Sequence, residues 1–171
     1  WEKGPGIELF QRMKEVLGER EVIAEDLGYV TDSVRKLVRD TGFPGMKVLE
    51  FAFDARDTGS ANDYLPHNYV ENCVAYTGTH DNETLNGWFD KITKDERKMA
   101  RDYLCDHYTP DEEMYWSFIC TALRSRADLC IIPLQDYMGK DDTCRMNQPS
   151  TIGINWRWRV TEKELSEALK Q

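Results

Sequence analysis

A chain of 171 residues, 40% of them hydrophobic, is long enough to bury one core and fits a single domain spanning 1–171. Its formal net charge of −9 excludes nucleic acid and anionic membrane as natural partners, since both repel an acidic surface. No apolar run reaches membrane-spanning length, and no basic-then-apolar opening marks a secretory leader. The five cysteines form an odd set without a CxxC pair, which argues against a disulfide framework or zinc ribbon and for reduced thiols in the cytoplasm.

The first residues, Trp1 to Gly6, read as a loop entering a helix, as though the sequence opened mid-domain. Ile7, Phe10, Met13, Val16 and Leu17 then recur at helical spacing, and Gly18 closes the helix. A short β-type run, Glu21 to Ala24, stops at Glu25-Asp26. Thr31 caps a second helix through Val34, Leu37 and Val38, closed by Gly42 and Pro44. A second strand is expected at Met46–Phe53, a polar loop from Asp54 to Val70, and a third strand at Cys73–Thr77 that runs into Gly78-Thr79-His80-Asp81-Asn82. Three helical segments follow, with capping boxes expected at Thr93/Glu96 and at Thr109/Glu112, the second with Pro110 at its first helical position. The fourth strand is Leu129–Leu134, and a last short helix is capped by Thr161 with Glu164.

Strands that alternate with helices imply parallel pairing, because parallel neighbours need a helical crossover. The four runs are nearly continuous in apolar residues, as expected where both faces are covered. The fold class is α/β. Four βα units make half of an eight-unit barrel, which needs about 250 residues, and a small doubly wound sheet is the alternative from topology alone.

In such folds the functional groups gather at the C-terminal ends of strands. Three of these ends carry polar clusters: Glu25-Asp26, His80-Asp81-Asn82 and Gln135-Asp136. A carboxyl at the mouth of an apolar strand is partly desolvated, and nearby carboxylates raise its pKa further, which suits a general acid. Glycosidic bond cleavage needs such an acid, together with a carboxylate at the oxocarbenium-like centre. A salt-bridged strand end is the plainer alternative for Glu25 taken alone. His80-Asp81 is also a possible metal pair, but no third ligand stands at useful spacing, and His67 and His107 lie apart, so no metal is expected. Trp156 and Trp158 alternate with Arg157 and Arg159 in the tail, either as a sugar-stacking surface or as a seal on the rim.

At these strand ends the sequence resembles the amylomaltases, the 4-α-glucanotransferases of glycoside hydrolase family 77. The resemblance rests on Val22–Gly28 (VIAEDLG), Gly42–Phe53 (GFPGMKVLEFAF), Tyr64–Asn68 (YLPHN), Tyr76–Asn82 (YTGTHDN), Pro133–Asp136 (PLQD), Arg145–Asn147 (RMN) and Asn155–Arg159 (NWRWR), in the family's order along nearly the whole chain. The resemblance implies the C-terminal half of a (β/α)8 barrel, strands five to eight, with the N-terminal half and its nucleophilic aspartate absent. Glu25 is similar to the family's general acid/base, and Asp81 to the carboxylate that holds sugar hydroxyls in the transition state. His80 resembles its partner on the same glucose unit, and Phe51 an apolar wall beside the acid/base. Asn82, Gln135 and Asn147 fall in motifs near the active-site mouth and are expected to contact substrate. Ser150 departs from the glycine common in the family at that place.

The implied chemistry is a retaining double displacement on α-1,4-glucans or maltooligosaccharides, without metal or organic cofactor. The fragment alone is expected to be inactive. An amylase-type α-glucan hydrolase and a non-catalytic glucan-binding domain are the competing functions. A half barrel exposes strand edges and an apolar face, so the expected partners are the missing N-terminal half or a second copy of the chain.

Overall fold

A computed structural model describes residues 2–28, 30–56 and 61–168. Trp1 and residues 57–60 of the expected polar loop lie outside the described residues. Helix α1 (Ile7–Leu17) ends where the Gly18 N–H bonds Lys14 O, with Gly18 at φ 72°. Helix α2 (Asp32–Thr41) begins at Thr31, whose hydroxyl accepts the Val34 N–H, and ends at Gly42 in the left-handed region. Phe10 of α1 packs edge-to-face on Phe43, just beyond the end of α2, with ring centroids 5.7 Å apart, yet neither helix buries any residue fully.

The sheet has three parallel strands in the order β1 (Gly45–Val48), β2 (Cys73–Tyr76), β3 (Leu129–Ile131). The expected first strand at Glu21–Ala24 is reduced to one parallel bridge between Ala24 and Gly45, held by the Ala24 N–H on Pro44 O. Among the described residues this short segment has a neighbour on one side only, and one side supplies too few ladder bonds to extend a strand. The expected second strand also shortens. It turns after Val48 into a 3-10 helix at Leu49–Phe53, because Leu49, Ala52 and Phe53 go to the core at near-helical spacing while Phe51 turns outward. The fourth run stops at Ile131, since Pro133 opens the short helix α6 (Leu134–Tyr137).

Helices α3 (Leu85–Lys91), α4 (Lys94–Leu104) and α5 (Met114–Leu123) cover one side of the sheet. Their core packs Phe89, Leu85, Met114, Phe118 and Ile119 against Leu49 and Phe53, with Phe53 and Phe118 in edge-to-face contact at 5.8 Å. The Thr93/Glu96 box forms in both directions. The Thr109/Glu112 box does not: Pro110 leads into a 3-10 turn at Asp111–Glu113, the Thr109 N–H is taken by Asp106, and Asp111 is held by Arg97 and Arg101 instead. Helix α7 (Glu162–Ala168) carries the expected Thr161/Glu164 reciprocal bonds. Strand β3 is apolar but uncovered, with Leu129 47% and Ile131 38% exposed, so only one face of this sheet edge is packed. All five cysteines are free thiols.

Candidate active site

Parallel pairing brings every strand's C-terminal end to one rim, and the polar clusters follow. Glu25 leaves the Ala24 bridge, Phe51 stands just beyond β1, Thr79 to Asn82 follow β2, and Pro133 follows β3. Side chains from all four places line one groove of about 680 Å³, within the size range of small-molecule sites. Glu25, Phe51, His80, Asp81 and Asn82, each picked out in the sequence, therefore share one cavity.

Two further sequence candidates stand outside that lining. Asn147 lies behind Asp81, donating from Nδ2 to Asp81 Oδ1 at 2.6 Å, and its N–H bonds His80 O at 3.1 Å. It orients the acid. Gln135 is buried in a smaller adjoining cavity of about 230 Å³, where its Nε2 donates to Cys144 O at 3.2 Å. His80, Asn82 and Trp156 also line that second cavity.

His80 is held from two sides: its Nε2 lies 3.4 Å from Asp81 Oδ1, and its ring lies against Trp156 at 5.0 Å between centroids. Trp156 thus packs on a groove residue, while Trp158 is half-buried. Phe51 is braced edge-to-face by Tyr64 at 5.4 Å, leaving its outer face to the groove. Arg145 ties the rim together, donating to Asp81 O at 2.7 Å, to Glu83 Oε1 at 2.8 Å and to Asn147 O at 2.9 Å.

The burial differs from the expectation for Glu25. Its side chain is exposed, because the edge segment that carries it has no neighbour on its open side among the described residues. The acids withdrawn from water are Glu50, 5% exposed, and Asp136, 2% exposed. Burial, joined by the nearby charges of Asp136 and Glu83, holds the Glu50 carboxyl well above the ordinary range. Burial also raises Asp136, opposed by hydrogen bonds to its carboxyl from Thr77 Oγ1 at 2.6 Å and from the Leu85 N–H at 2.8 Å. Sequence reasoning passed over Glu50, although one acid inside the apolar run from Val48 to Phe53 was the available signal. Among the described residues no group of three or more His, Cys, Asp or Glu side chains is placed to hold a metal ion. No helix among them is long and apolar enough to cross a membrane.

A parallel α/β layer with two acids, a histidine and an aromatic wall gathered on its C-terminal rim defines the chain as an α/β protein with a carboxylate-bearing groove. The family model described as 4-alpha-glucanotransferase matches residues 1–165, and the chain belongs to that family. Curated 4-alpha-glucanotransferases are similar to it throughout. That of Clostridium butyricum is 44% identical over 99% of this chain, that of Thermus thermophilus 43% over 97%, and that of Synechocystis 45% over 99%. These matches cover 34%, 34% and 33% of the relatives, so the chain spans about a third of their length. An amylomaltase from Streptococcus agalactiae, solved in complex with acarbose, superposes with a TM-score of 0.89 at 41% identity, over 98% of this chain and 33% of that one. The amylomaltase of Corynebacterium glutamicum, 17% identical with a TM-score of 0.63 over 92% of this chain and 28% of that one, shares the fold.

Proposed function

We propose that this chain supplies the acid/base part of a 4-α-glucanotransferase active site, as the C-terminal half (strands five to eight) of a (β/α)8 barrel. The observation that carries the reading is the shared groove: Glu25 and Asp81 line one cavity with His80 and Phe51, in a chain of this family. In a retaining double displacement, a carboxylate from outside these residues attacks the anomeric carbon while Glu25 protonates the departing glycosidic oxygen. Glu25 then takes the proton of an acceptor 4-hydroxyl as the new α-1,4 bond forms. Asp81, oriented by Asn147, holds hydroxyls of the same glucose unit, and Phe51 forms an apolar wall beside the acid/base. The exposed Glu25 acquires its desolvated surroundings when the remainder of the barrel and the glucan close over it.

The substrate is an α-1,4-glucan or maltooligosaccharide, consistent with the acarbose complex of the Streptococcus amylomaltase. The one-third coverage of the relatives and the apolar side chains exposed on β3 and at Ile23 support a partner half of the same enzyme, or self-association of the isolated chain. On this reading residues 1–171 alone are inactive, and the protein works in the cytoplasm.

Product analysis on the complete protein tests the reading. Incubation with maltotriose is expected to give longer and shorter glucans by transfer, and Glu25→Gln is expected to slow it by about 10² to 10⁴. Net release of reducing sugar in place of transfer products would point to an amylase-type hydrolase. Glucan binding with no turnover of either kind would leave a binding domain.

A further inference from the structure

The loop that carries His80 and Asp81 leaves β2 at Thr77 and enters α3 at Leu85, and both of its ends are fastened to one buried side chain. Asp136, 2% exposed in the short helix α6, accepts the Thr77 hydroxyl on Oδ2 at 2.6 Å and the Leu85 N–H on Oδ1 at 2.8 Å. Thr77 and Leu85 are themselves buried, so water cannot stand in for either bond. The Leu85 N–H is the first of α3 and has no carbonyl partner within its own helix.

Between these anchors, Asn82 Oδ1 accepts the Thr79 N–H at 2.9 Å and the Thr79 hydroxyl at 2.8 Å, closing a turn around His80 and Asp81. Asn147 and Arg145 hold the same turn through Asp81 Oδ1, His80 O and Asp81 O. Those two residues follow α6 in the chain, and the carboxyl that holds the loop's ends belongs to α6 itself. Asp136 borders the smaller cavity and is no part of the lining of the groove shared by Glu25, Phe51, His80 and Asp81. It reaches a sugar in that groove only through the loop it holds.

We propose that Asp136 is a positioning residue for glucan transfer: its carboxyl fastens the end of β2 and the start of α3 to α6, and so sets where the intervening turn presents His80 and Asp81. The proposal rests on the role given to Asp81 above. What the geometry uses is a planar group with two polar atoms, one for each end of the loop. Asparagine reproduces it. Its Oδ1 takes the Leu85 N–H, which can only donate, and its Nδ2 donates to the Thr77 hydroxyl, which can accept. Leucine keeps the volume and makes neither bond.

The test uses the complete enzyme, with kcat and KM for glucan transfer measured in Asp136→Asn, Asp136→Leu, Thr77→Ser, Thr77→Val, the Asp136→Leu/Thr77→Val double variant and Asp81→Asn. Ile119→Val, a change in the core on α5, is the reference for packing lost away from the rim. Asp136→Asn, Thr77→Ser and Ile119→Val are expected to keep kcat close to wild type. Asp136→Leu is expected to lower kcat by about 10²-fold with little change in KM, the scale of a misplaced reactive group. Thr77→Val cuts one anchor of the two and should lose less, about 10-fold. The double variant should lose no more than Asp136→Leu, since that change has already removed the Thr77 bond. If Asp136→Leu fails to fold, Thr77→Val against Thr77→Ser carries the comparison. Wild-type kcat in Thr77→Val or in Asp136→Leu would overturn the proposal. So would equal losses in Asp136→Asn and Asp136→Leu or in Thr77→Ser and Thr77→Val, multiplicative losses in the double variant, or a loss in Ile119→Val as large as that in Thr77→Val. An active Asp81→Asn would instead overturn the functional reading on which the proposal stands.

Discussion

Replacing Arg145 by Met keeps the length of the side chain and removes its planar donor group. Three bonds go with it, to Asp81 O, Glu83 Oε1 and Asn147 O, at 2.7, 2.8 and 2.9 Å. The side chain is 16% exposed and that of Glu83 29%, so water replaces these bonds poorly. Breaking a buried ion pair from one side costs about 3–5 kcal/mol, because the other charge is left uncompensated. This pair is only half-buried, and Glu83 keeps a second, longer contact to Lys91 at 3.4 Å, so the expected loss lies between the exposed and the buried case, about 2 kcal/mol. Urea denaturation of the complete protein at neutral pH reads this directly. Glu83→Gln in the same background should add little, since the partner charge is already gone. Arg145→Lys should recover only part of the loss, because one ammonium cannot reproduce a three-way planar fork. A loss below about 1 kcal/mol, the level of an exposed surface pair, would refute the reasoning. So would full additivity with Glu83→Gln.

Glu50→Gln carries a pH signature. The folded-state pKa of Glu50 is raised, so the acid favours folding below its unfolded value and loses that contribution as pH rises through the folded value. The variant should match wild type near pH 4 and gain on it above that by about 1.4 kcal/mol per pH unit until the folded value is passed, as followed by urea midpoints across pH. A difference independent of pH would contradict the assignment. At the start of α4, Thr93→Ala removes a cap that forms in both directions and should cost about 1 kcal/mol, read by the same denaturation; no change would show the box to be idle.

The sequence was most informative where local chemistry decides structure. Thr31 and Gly42 bound α2, and Thr93 with Glu96 starts α4, because caps act within a turn of the chain. Strand lengths were less legible, since they depend on neighbours distant in sequence. The run from Met46 to Phe53 is apolar throughout, and such a run does not distinguish a covered strand from a tight helical turn. Glu21–Ala24 has strand composition but a pairing partner on one side only among the described residues. At Thr109 the expected box does not form, because Asp106 takes the Thr109 N–H that the box would use.

The groove residues were legible for a topological reason. Residues that end apolar parallel strands must meet on one rim, and Glu25, Phe51, His80, Asp81 and Asn82 do. Division of labour among them was not legible. Asn147 turned out to orient Asp81 from behind, and Gln135 to belong to the adjoining cavity, because α6 places Gln135 and the segment after it places Asn147. Glu50 escaped notice because its carboxyl is packed against Gly78, which approaches it from a different strand end.

The central claim is that the acids at 25 and 81 act on one sugar. A crystal structure of the complete protein with a bound maltooligosaccharide measures this directly. The account predicts a glucose unit in the groove whose hydroxyls meet Asp81, with the Glu25 carboxyl in hydrogen-bonding reach of the glycosidic oxygen beside it. An oligosaccharide seated elsewhere, or one that reaches only one of the two carboxylates, would contradict it.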